Sequence, residues 1–319
     1  MNEVGEIKKS ASTKSRRIIA YVVLVFLTLL CLFWFYLMFI NASRNNAQIQ
    51  TGVSFVPGKY FWENLKNVAN DSSYPLIHGL LNSFIISALT ALLSVYFSTM
   101  TAYAIHVYDF KGKAIIFTGI LMIMMIPSQV TVLGFLQWID KLQDFNKGIV
   151  DGLGGWGIFS EAFLTGLRKV AKGGTYADYI WLTLPSIAAP VTFYYLKQYM
   201  DSALPLALIE AARIDGSSEV RTFNHIALPL MKPAISVQAI FTFVSSWNNY
   251  FVPSHILTGD KNLKTVPIII AMLRSADYAN FDMGKIYMSI FVAIFPVIVV
   301  YLILSKNIVG GLAVGSVKG

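Results

Sequence analysis

The stretch that decides the fold is Glu210-Ala-Ala-Arg-Ile-Asp-Gly216, which is followed by Ile226-Ala-Leu-Pro229. It is polar and lies between two long apolar segments. Residues 207–214 are mostly strong helix formers, and Asp215-Gly216 ends them because glycine takes the left-handed C′ position without steric cost. Ser217 or Ser218 can cap a second helix, which Pro229 ends. Residues 207–229 therefore predict an exposed helical elbow, a shape that can enter a groove on a partner protein.

The composition indicates an integral membrane protein. Hydrophobic residues make up 55% of the 319-residue chain and charged residues only 13%, against about 25% charged residues in soluble domains. The net charge is +8, but the lysines and arginines are scattered between apolar blocks, which argues against nucleic-acid binding. The single cysteine, Cys31, lies inside an apolar block, so the chain has neither a disulfide framework nor a cysteine metal site.

Charge-free runs long enough to cross about 30 Å of hydrocarbon recur along the chain. Such runs must be helical, because backbone groups in lipid find no water partners. We therefore predict an all-α integral membrane protein with six transmembrane helices at 18–40, 80–105, 114–139, 179–196, 234–257 and 286–304. They form one transmembrane domain at 18–305, between an N-terminal tail at 1–17 and a C-terminal tail at 306–319.

Basic residues near the ends of the spans predict the orientation. Those of the N-terminal tail, of the turn at Lys111 and Lys113, of the 197–233 loop and of the C-terminal tail fall on one side. The opposing loops also carry lysine and arginine, but at lower density. We expect both termini and the elbow in the cytosol.

Three loops are then external, at 41–79, 140–178 and 258–285. The first is long enough for a short helix on the membrane surface. In the third, residues 266–273 are apolar but too short to span the membrane, which suits a re-entrant segment.

Polar side chains inside the spans are candidates for a solute pathway. Amides bond sugar hydroxyls and aromatic faces stack on sugar C–H surfaces, whereas the alternative role of Asn and Ser is to join helices. The sequence leaves both roles open. The pathway candidates are Asn82, Gln129, Trp247, Asn248, Asn249 and Tyr250. No charged residue lies inside a predicted span, which counts against a proton- or sodium-coupled carrier and against a charged solute.

Motifs for catalysis are missing from the sequence. It contains no G-x-x-x-x-G-K-[ST] phosphate loop, no G-x-S-x-G nucleophile elbow and no histidine pair at metal-ligand spacing. We therefore expect no enzymatic activity, no bound metal and no cofactor on this chain. Any ATP-driven step must then use a nucleotide site on another subunit.

The spacing Glu-Ala-Ala, three residues, Gly, nine residues, Ile-x-Leu-Pro resembles the EAA loop of permease subunits of bacterial ABC importers. The sequence of this loop, Trp247-Asn248-Asn249 and the glycine-rich 311–319 segment together resemble the MalG-type carbohydrate permeases. The resemblance covers roughly residues 15–319. The resemblance implies an ATPase-coupling set at Glu210, Ala211, Ala212, Asp215, Gly216, Ile226, Leu228 and Pro229.

The same resemblance implies a multi-pass subunit of the bacterial inner membrane that forms half of a sugar pathway. Its implied partners are a MalF-like second permease, an external solute-binding protein, membrane lipid and two ABC ATPase subunits, which bind ATP and Mg. The 140–178 loop is longer than the family pattern, and is either a contact for the binding protein or the second permease, or a tolerated insertion. The 311–319 segment is either an ATPase contact or a flexible tail.

Two other classes stay open. One is an ABC importer permease for another solute, such as a polyamine or an anion. The other is a six-span membrane protein that does not transport, such as a scaffold or an intramembrane enzyme. The elbow counts against the scaffold, and the missing catalytic motifs count against the enzyme.

Overall fold

The computed structural model describes residues 3–127, 130–131, 134–135, 137–138, 141, 178–276 and 281–315, with side chains from 14 to 308 within these ranges except at 178. Every regular element in the described ranges is helical, which agrees with the predicted all-α fold. Most of the 140–178 loop and Gln129 lie outside the described residues.

The described residues form thirteen helices. They are α1 (Glu3–Ala42), α2 (Asn46–Gln50), α3 (Phe61–Ala69), α4 (Leu76–Val107), α5 (Lys113–Met124), α6 (Asp178–Thr183), α7 (Pro190–Ala203), α8 (Leu206–Ile214), α9 (Glu219–Leu230), α10 (Lys232–Trp247), α11 (Phe251–Ile256), α12 (Val266–Arg274) and α13 (Met283–Gly315). A π turn at Phe223–Ala227 lies within α9, and 3-10 turns lie at Leu184–Ile187 and Lys261–Leu263.

Three helices of the described residues are long and apolar enough to cross a membrane unbroken. They contain the segments Lys14–Ala42, Leu76–Val107 and Met283–Ile308. These segments contain the spans predicted at 18–40, 80–105 and 286–304. The pair α9 and α10 passes the same test as one span bent by 81°.

The other predicted spans are interrupted or incompletely described. The 179–196 span is broken around residues 184–189, because Pro185 and Pro190 have no backbone N–H to continue a helix. The 234–257 span is broken at 248–250, between α10 and α11. The 114–139 span begins as the 12-residue helix α5, and six of the fifteen residues that follow within the span lie outside the described residues.

Both predicted tails are largely helical where the structure describes them. Helix α1 begins at Glu3, and α13 continues through Gly315, so residues 311–315 of the 311–319 segment are helical. Neither tail contains a proline. Extending an existing helix adds one hydrogen bond for each residue ordered, so a long span propagates readily into such flanks.

The chain divides into two compact units. Unit 1 comprises Met1–Asn70 and Leu273–Val292, and unit 2 comprises Asp71–Met272 and Ala293–Gly319. In unit 1, Phe39, Phe61 and Phe291 form a ring cluster with centroids 5.7–5.8 Å apart. The buried Asn64 amide donates to the carbonyls of Ala42 and Arg44, 2.9 Å away in each case. These contacts hold α3, the short helix predicted in the 41–79 loop, against the end of α1.

Unit 2 has a core that joins α4, α7, α8, α9 and α10. Its buried members are Ala102, Tyr103, Ile105, Phe193, Leu196, Met200, Leu204, Ile209, Phe223, Ala227, Met231 and Ala234. A second cluster joins α4 and α6 to the segment around α12, and consists of Ile86, Tyr179, Leu257, Leu263 and Ile268. The predicted apolar segment 266–273 is therefore a short packed helix, α12.

Gly58 is expected to tolerate no side chain. A Cβ at this position would lie 2.3 Å from the Ser43 carbonyl oxygen, which is backbone and cannot rotate away. We expect Gly58→Ala to destabilise the protein by about 1–3 kcal/mol through overpacking. The matched control is Gly119→Ala in α5, where a Cβ meets nothing within 4 Å and should stabilise the helix by up to about 1 kcal/mol. Thermal unfolding in detergent measures both, and equal midpoints for the two variants would contradict the prediction.

Candidate functional site

The turn between α8 and α9 has the geometry that the sequence predicts. Gly216 adopts φ +74°, and its N–H donates to the Arg213 carbonyl at 3.0 Å. The N–H of Ser217 donates to the Ala212 carbonyl at 2.9 Å, which completes a Schellman motif. A Cβ on Gly216 would meet nothing within 4 Å, so glycine is required here for its backbone conformation and not for space. Ser218 occupies the N-cap position of α9.

The elbow presents a mixed charged and apolar surface. Glu210, Ala211 and Asp215 are exposed. Ile214 is 87% exposed and Val220 is 72% exposed, one on each side of the turn. Large aliphatic side chains beside a carboxylate on a rigid protrusion are typical of a protein-binding surface.

The other predicted coupling residues lie deeper. Ala212 is buried, so its small side chain serves packing within this chain. Ile226 lies in the π turn, and both Ile226 and Leu228 are half-buried. Pro229 is exposed near the end of α9, just before the 81° bend into α10. The predicted coupling residues thus form two sets. One set is exposed at the turn, and the other connects the turn to α10.

A polar cluster that the sequence did not predict fastens the elbow to the end of α4. The Arg213 Nε donates to Glu219 Oε1 at 2.8 Å, which links α8 to α9 across the turn. The Tyr103 hydroxyl donates to Glu219 Oε2 at 3.4 Å, and the Arg213 guanidinium lies 5.4 Å from the centre of the Tyr108 ring. Since the tyrosines are more than a hundred residues away in sequence, no local pattern indicates this pairing.

The contacts in this cluster shift the pKa values of its members. The hydrogen bond from Arg213, followed by that from Tyr108, lowers the pKa of Glu219. Burial, followed by the hydrogen bond with Glu219, raises the pKa of Tyr108. The cluster is therefore an ion pair with neutral tyrosines around it at neutral pH.

A second polar cluster fastens the connection between α7 and α8. The His106 Nδ1 lies 2.9 Å from Asp201 Oδ1, and its Nε2 lies 2.9 Å from the Leu204 carbonyl oxygen. Carboxylate and carbonyl oxygens only accept hydrogen bonds, so the imidazole ring lies between two acceptors. Burial alone would raise the pKa of Asp201, but hydrogen bonds from Lys197 and His106 outweigh it and lower the pKa. Helix α4 is thus bonded to the residues that lead into the elbow.

Apolar packing supports the same junction. The Phe223 ring of α9 lies 5.4 Å from the Tyr103 ring and 5.8 Å from the Tyr96 ring, both on α4. Ile209, on the inner face of α8, is buried in the same core. The elbow is therefore attached to α4 through aromatic contacts as well as through ions.

Four predicted pathway residues lie together where α10 ends. Trp247 is buried and stacks on Phe243 with centroids 5.7 Å apart. The Asn248 side chain is exposed and donates to the Val244 carbonyl at 3.0 Å. Asn249 and the exposed Tyr250 complete the non-helical link to α11. Non-helical backbone of this kind at membrane depth is found where it is buried in protein or lines a water-filled cavity.

Asn82 lies at a different contact. Its buried amide donates to the carbonyls of Asn262 at 2.6 Å and Lys264 at 3.1 Å. Next to it, Ser83 accepts a hydrogen bond from the Val266 N–H. These bonds give Asn82 a role in holding the segment before α12, and its contact with a solute stays a prediction.

A groove of about 400 Å³ lies between α4, α10 and α13. Its lining is almost wholly hydrocarbon and includes Phe84, Leu92, Phe243 and Ile303. Such a surface offers few partners for hydroxyl groups, so we do not place the candidate solute pathway here.

The fold and the elbow define a helical membrane subunit with a protruding helix-turn-helix. A family model described as "Binding-protein-dependent transport system inner membrane component" matches residues 94–309. The chain belongs to this family, and is a membrane permease subunit of the ABC importer class.

Individual relatives agree with this assignment. The arabinooligosaccharides transport system permease protein AraQ of Bacillus subtilis is 35% identical over 238 residues, which cover 75% of this chain and 72% of AraQ. The trehalose/maltose transport system permease protein MalG of Thermococcus litoralis is 29% identical over 95% of this chain and 98% of its own. The sn-glycerol-3-phosphate transport system permease protein UgpE of Yersinia pestis is 27% identical over 92% of this chain and 95% of its own.

A solved structure shares the fold. It is a bacterial ABC transporter involved in the import of the acidic polysaccharide alginate, and it matches with a TM-score of 0.69 at 18% identity. The match covers 92% of this chain and 97% of that chain. The chain therefore has the all-α type I permease fold of ABC importers, which is the fold that the resemblance of its elbow implies.

The Glu219 carboxylate is expected to stabilise the elbow only above acidic pH. Its pKa is lowered in the folded state, so its contribution is present above the unfolded value of about 4.3 and is lost as the pH falls through the folded value. The pair is partly exposed, so we expect Glu219→Gln to cost less than about 1 kcal/mol at pH 7. Thermal unfolding measures the effect: the difference in midpoint between wild type and Glu219→Gln should decrease as the pH falls from 7 to 3.5.

The control for this measurement is Glu210→Gln, which removes an exposed carboxylate of the same elbow. This substitution should change the midpoint of thermal unfolding little at each pH of the series. A Glu219→Gln deficit that stayed constant down to pH 3.5 would mean that packing, and not charge, carries the contribution.

Proposed function

We propose that this chain is a permease subunit of an ATP-driven importer for a sugar or oligosaccharide, and that an ATPase subunit engages its elbow. The observation that carries the proposal is the elbow itself: a protruding turn with exposed Glu210 and Ile214, braced on the chain's own core. An exposed aliphatic surface of this kind is stabilised when a partner covers it.

The remaining subunits follow from the same proposal. A MalF-like second permease completes the pathway, two ATPase subunits bind ATP and Mg, and an external binding protein delivers the solute. Taken together, the two tails, the 111–113 turn and the 197–233 loop are richer in lysine and arginine than the opposing loops, which supports a cytosolic position for both termini and the elbow in a bacterial cell. The ATPase subunits then meet this chain on the side where ATP is available.

The exposed and buried coupling residues take different roles. Glu210 pairs with a basic residue of the ATPase, and Ala211 allows close approach of the partner surface. Asp215 and Gly216 form the turn, and Ala212 anchors α8 from within. Ile226, Leu228 and Pro229 belong to the connection that carries movement of the turn into α10.

The two polar clusters make the elbow move as a rigid body. The Arg213–Glu219 pair holds α8 to α9, and Tyr103 and Tyr108 hold that pair to α4. The His106 contact holds the α7–α8 connection to the same helix end. A displacement imposed by the ATPase on the elbow is then passed to α4 and α7, which changes the access of the pathway.

The sugar assignment rests on the relatives and on the break at 248–250. AraQ and MalG are named for arabinooligosaccharides and for trehalose and maltose. The break carries two amides and a tyrosine ring, groups that suit hydroxyl-rich solutes. Gln129 is a further candidate for the pathway, while Asn82 and Trp247 would act there through packing.

A second candidate solute is a phosphorylated polyol. UgpE is named for sn-glycerol-3-phosphate and aligns over 92% of this chain. An anion of that kind would favour a fixed cationic partner, and the 80–105 and 234–257 segments contain no lysine or arginine. We therefore favour the neutral sugar.

The elbow assignment predicts the outcome of co-purification. We expect Glu210→Lys to lower the amount of ATPase retained in detergent by about tenfold or more, because reversing one charge of a desolvated pair costs roughly 2–5 kcal/mol. The control is Glu63→Lys, which makes the same reversal at an exposed position on α3 and should leave retention unchanged. Equal retention by wild type and Glu210→Lys would refute the docking role of Glu210.

The sugar assignment predicts the outcome of uptake assays. In vesicles containing the full importer and its binding protein, unlabelled oligosaccharide should compete with labelled sugar, and sn-glycerol-3-phosphate should not. We expect Asn248→Ala to slow uptake about fivefold through the loss of one hydrogen bond worth about 1 kcal/mol. The exposed Asn67→Ala on α3 serves as the control. If the vesicles took up sn-glycerol-3-phosphate and no sugar, the sugar assignment would be wrong and a phosphorylated polyol would be the solute.

A further inference from the structure

The loop between α2 and α3 exposes a compact run of apolar side chains. Val53, Phe55 and Val56 are between 60% and 78% exposed, and Trp62 in the first turn of α3 is 70% exposed. Each such side chain gains roughly 1.5–3 kcal/mol on leaving water. A run of this kind on a short loop therefore indicates a surface that is covered in the working protein.

The loop lies alongside the apolar span of α1. The Tyr36 hydroxyl donates a hydrogen bond to the Phe55 carbonyl, and the Phe33 and Phe55 ring centroids are 6.3 Å apart. Phe33 comes seven residues before Ile40, the last apolar residue of the span, which places it about 10 Å down the helix axis from that end. Phe55 is thus held beside the apolar segment that crosses the membrane, at a position along the helix axis that lies inside this segment and not beyond its end.

Both ends of the loop are bonded to the end of α1. The Arg44 guanidinium donates to the carbonyls of Gln48 and Gly52. The Gly58 N–H donates to the Ser43 hydroxyl at 2.8 Å, and the Tyr60 N–H donates to the Ser43 carbonyl at 2.9 Å. The apolar run is therefore held in position beside the helix and is not a freely moving tip.

The hydrogen bond from Tyr36 matters for what can cover this surface. A loop carbonyl that enters hydrocarbon needs a partner from the protein, because lipid tails offer none. The tyrosine supplies that partner at the depth where Phe55 lies. Tyrosine and tryptophan are also the residues that prefer the boundary between headgroups and hydrocarbon. Lys66, one turn after Trp62 on α3, is exposed and suits the headgroup region.

We propose that residues 53–56 insert into the boundary of the lipid bilayer beside α1, with Trp62 at the level of the headgroups. The partner is the hydrocarbon and headgroup region of the membrane itself. The surface continues the apolar surface of α1, of which residues 14–36 are exposed in the described structure. The inserted loop anchors unit 1 at the C-terminal end of α1. This proposal is independent of the solute and of the ATPase contact.

Quenching of a fluorescent label tests the insertion. Cys31 is the single cysteine, so Cys31→Ser provides a background for Val53→Cys and Val56→Cys, each labelled with an environment-sensitive fluorophore. The full importer is placed in nanodiscs of phosphatidylcholine and phosphatidylglycerol. Leu29→Cys on the exposed face of α1 is the lipid reference, and Asn70→Cys at the end of α3 is the water reference.

We expect doxyl lipids to quench the labels at 53 and 56 as strongly as the label at 29. Aqueous iodide should quench them several-fold less than it quenches the label at 70. Tyr36→Phe, which removes the partner of the Phe55 carbonyl, should reduce lipid quenching at 56 and leave the label at 29 unchanged.

Two results would overturn the proposal. Iodide quenching at 53 and 56 equal to that at 70 would mean that the loop stays in water. Protection from both quenchers would mean that another protein subunit covers the surface in place of lipid.

Discussion

A backbone N–H or C=O without a partner costs several kcal/mol inside a membrane, and this constraint shapes the interruptions of the helices. Where the 179–196 segment breaks, the Thr183 hydroxyl donates to the Tyr179 carbonyl and the Ser186 hydroxyl donates to the Thr183 carbonyl. Where the 234–257 segment breaks, the Asn248 amide covers the Val244 carbonyl. Short polar side chains thus add hydrogen bonds to the carbonyls near the ends of these helices. The breaks are stable features, and one of them carries the residues that best suit a polar solute.

The elbow is connected to α7 and α10 at the ends of these helices that lie opposite the two breaks. Its turn is closed by local backbone bonds at Gly216, but its orientation comes from α4 and α7 through Tyr103, Tyr108 and His106. Packing of Phe223 against Tyr103 adds an apolar contact that salt does not screen. For the proposed ATPase contact, a stiff connection between the elbow and the transmembrane helices would pass on a displacement that a flexible connection would absorb. The combination of ion pair, aromatic packing and buried aliphatic side chains provides that stiffness.

Local chemistry made the elbow and the long spans predictable. Helix propensity, a glycine at C′ and uninterrupted apolar runs act over a few residues, so they can be identified without knowing the fold. The contacts of Glu219 with Tyr103, of His106 with Leu204 and of Asn82 with Lys264 could not be predicted, because each joins residues about a hundred or more positions apart. The helical extension of α1 and α13 into the two predicted tails could not be predicted either, since hydrophobicity identifies where a span lies but not where its helix stops.

The sequence by itself determined that the chain is a helical membrane protein, and it determined where the elbow turns. Both follow from free energies that depend on single residues and their near neighbours: transfer of apolar side chains out of water, and the left-handed conformation of Gly216. Only the tertiary structure decided that Ala212 faces inward while Ile214 faces outward, that Asn82 bonds backbone carbonyls, and that Phe55 lies against α1. These outcomes depend on which surfaces meet when distant segments pack, and packing selects among many arrangements that local preferences leave equal in free energy.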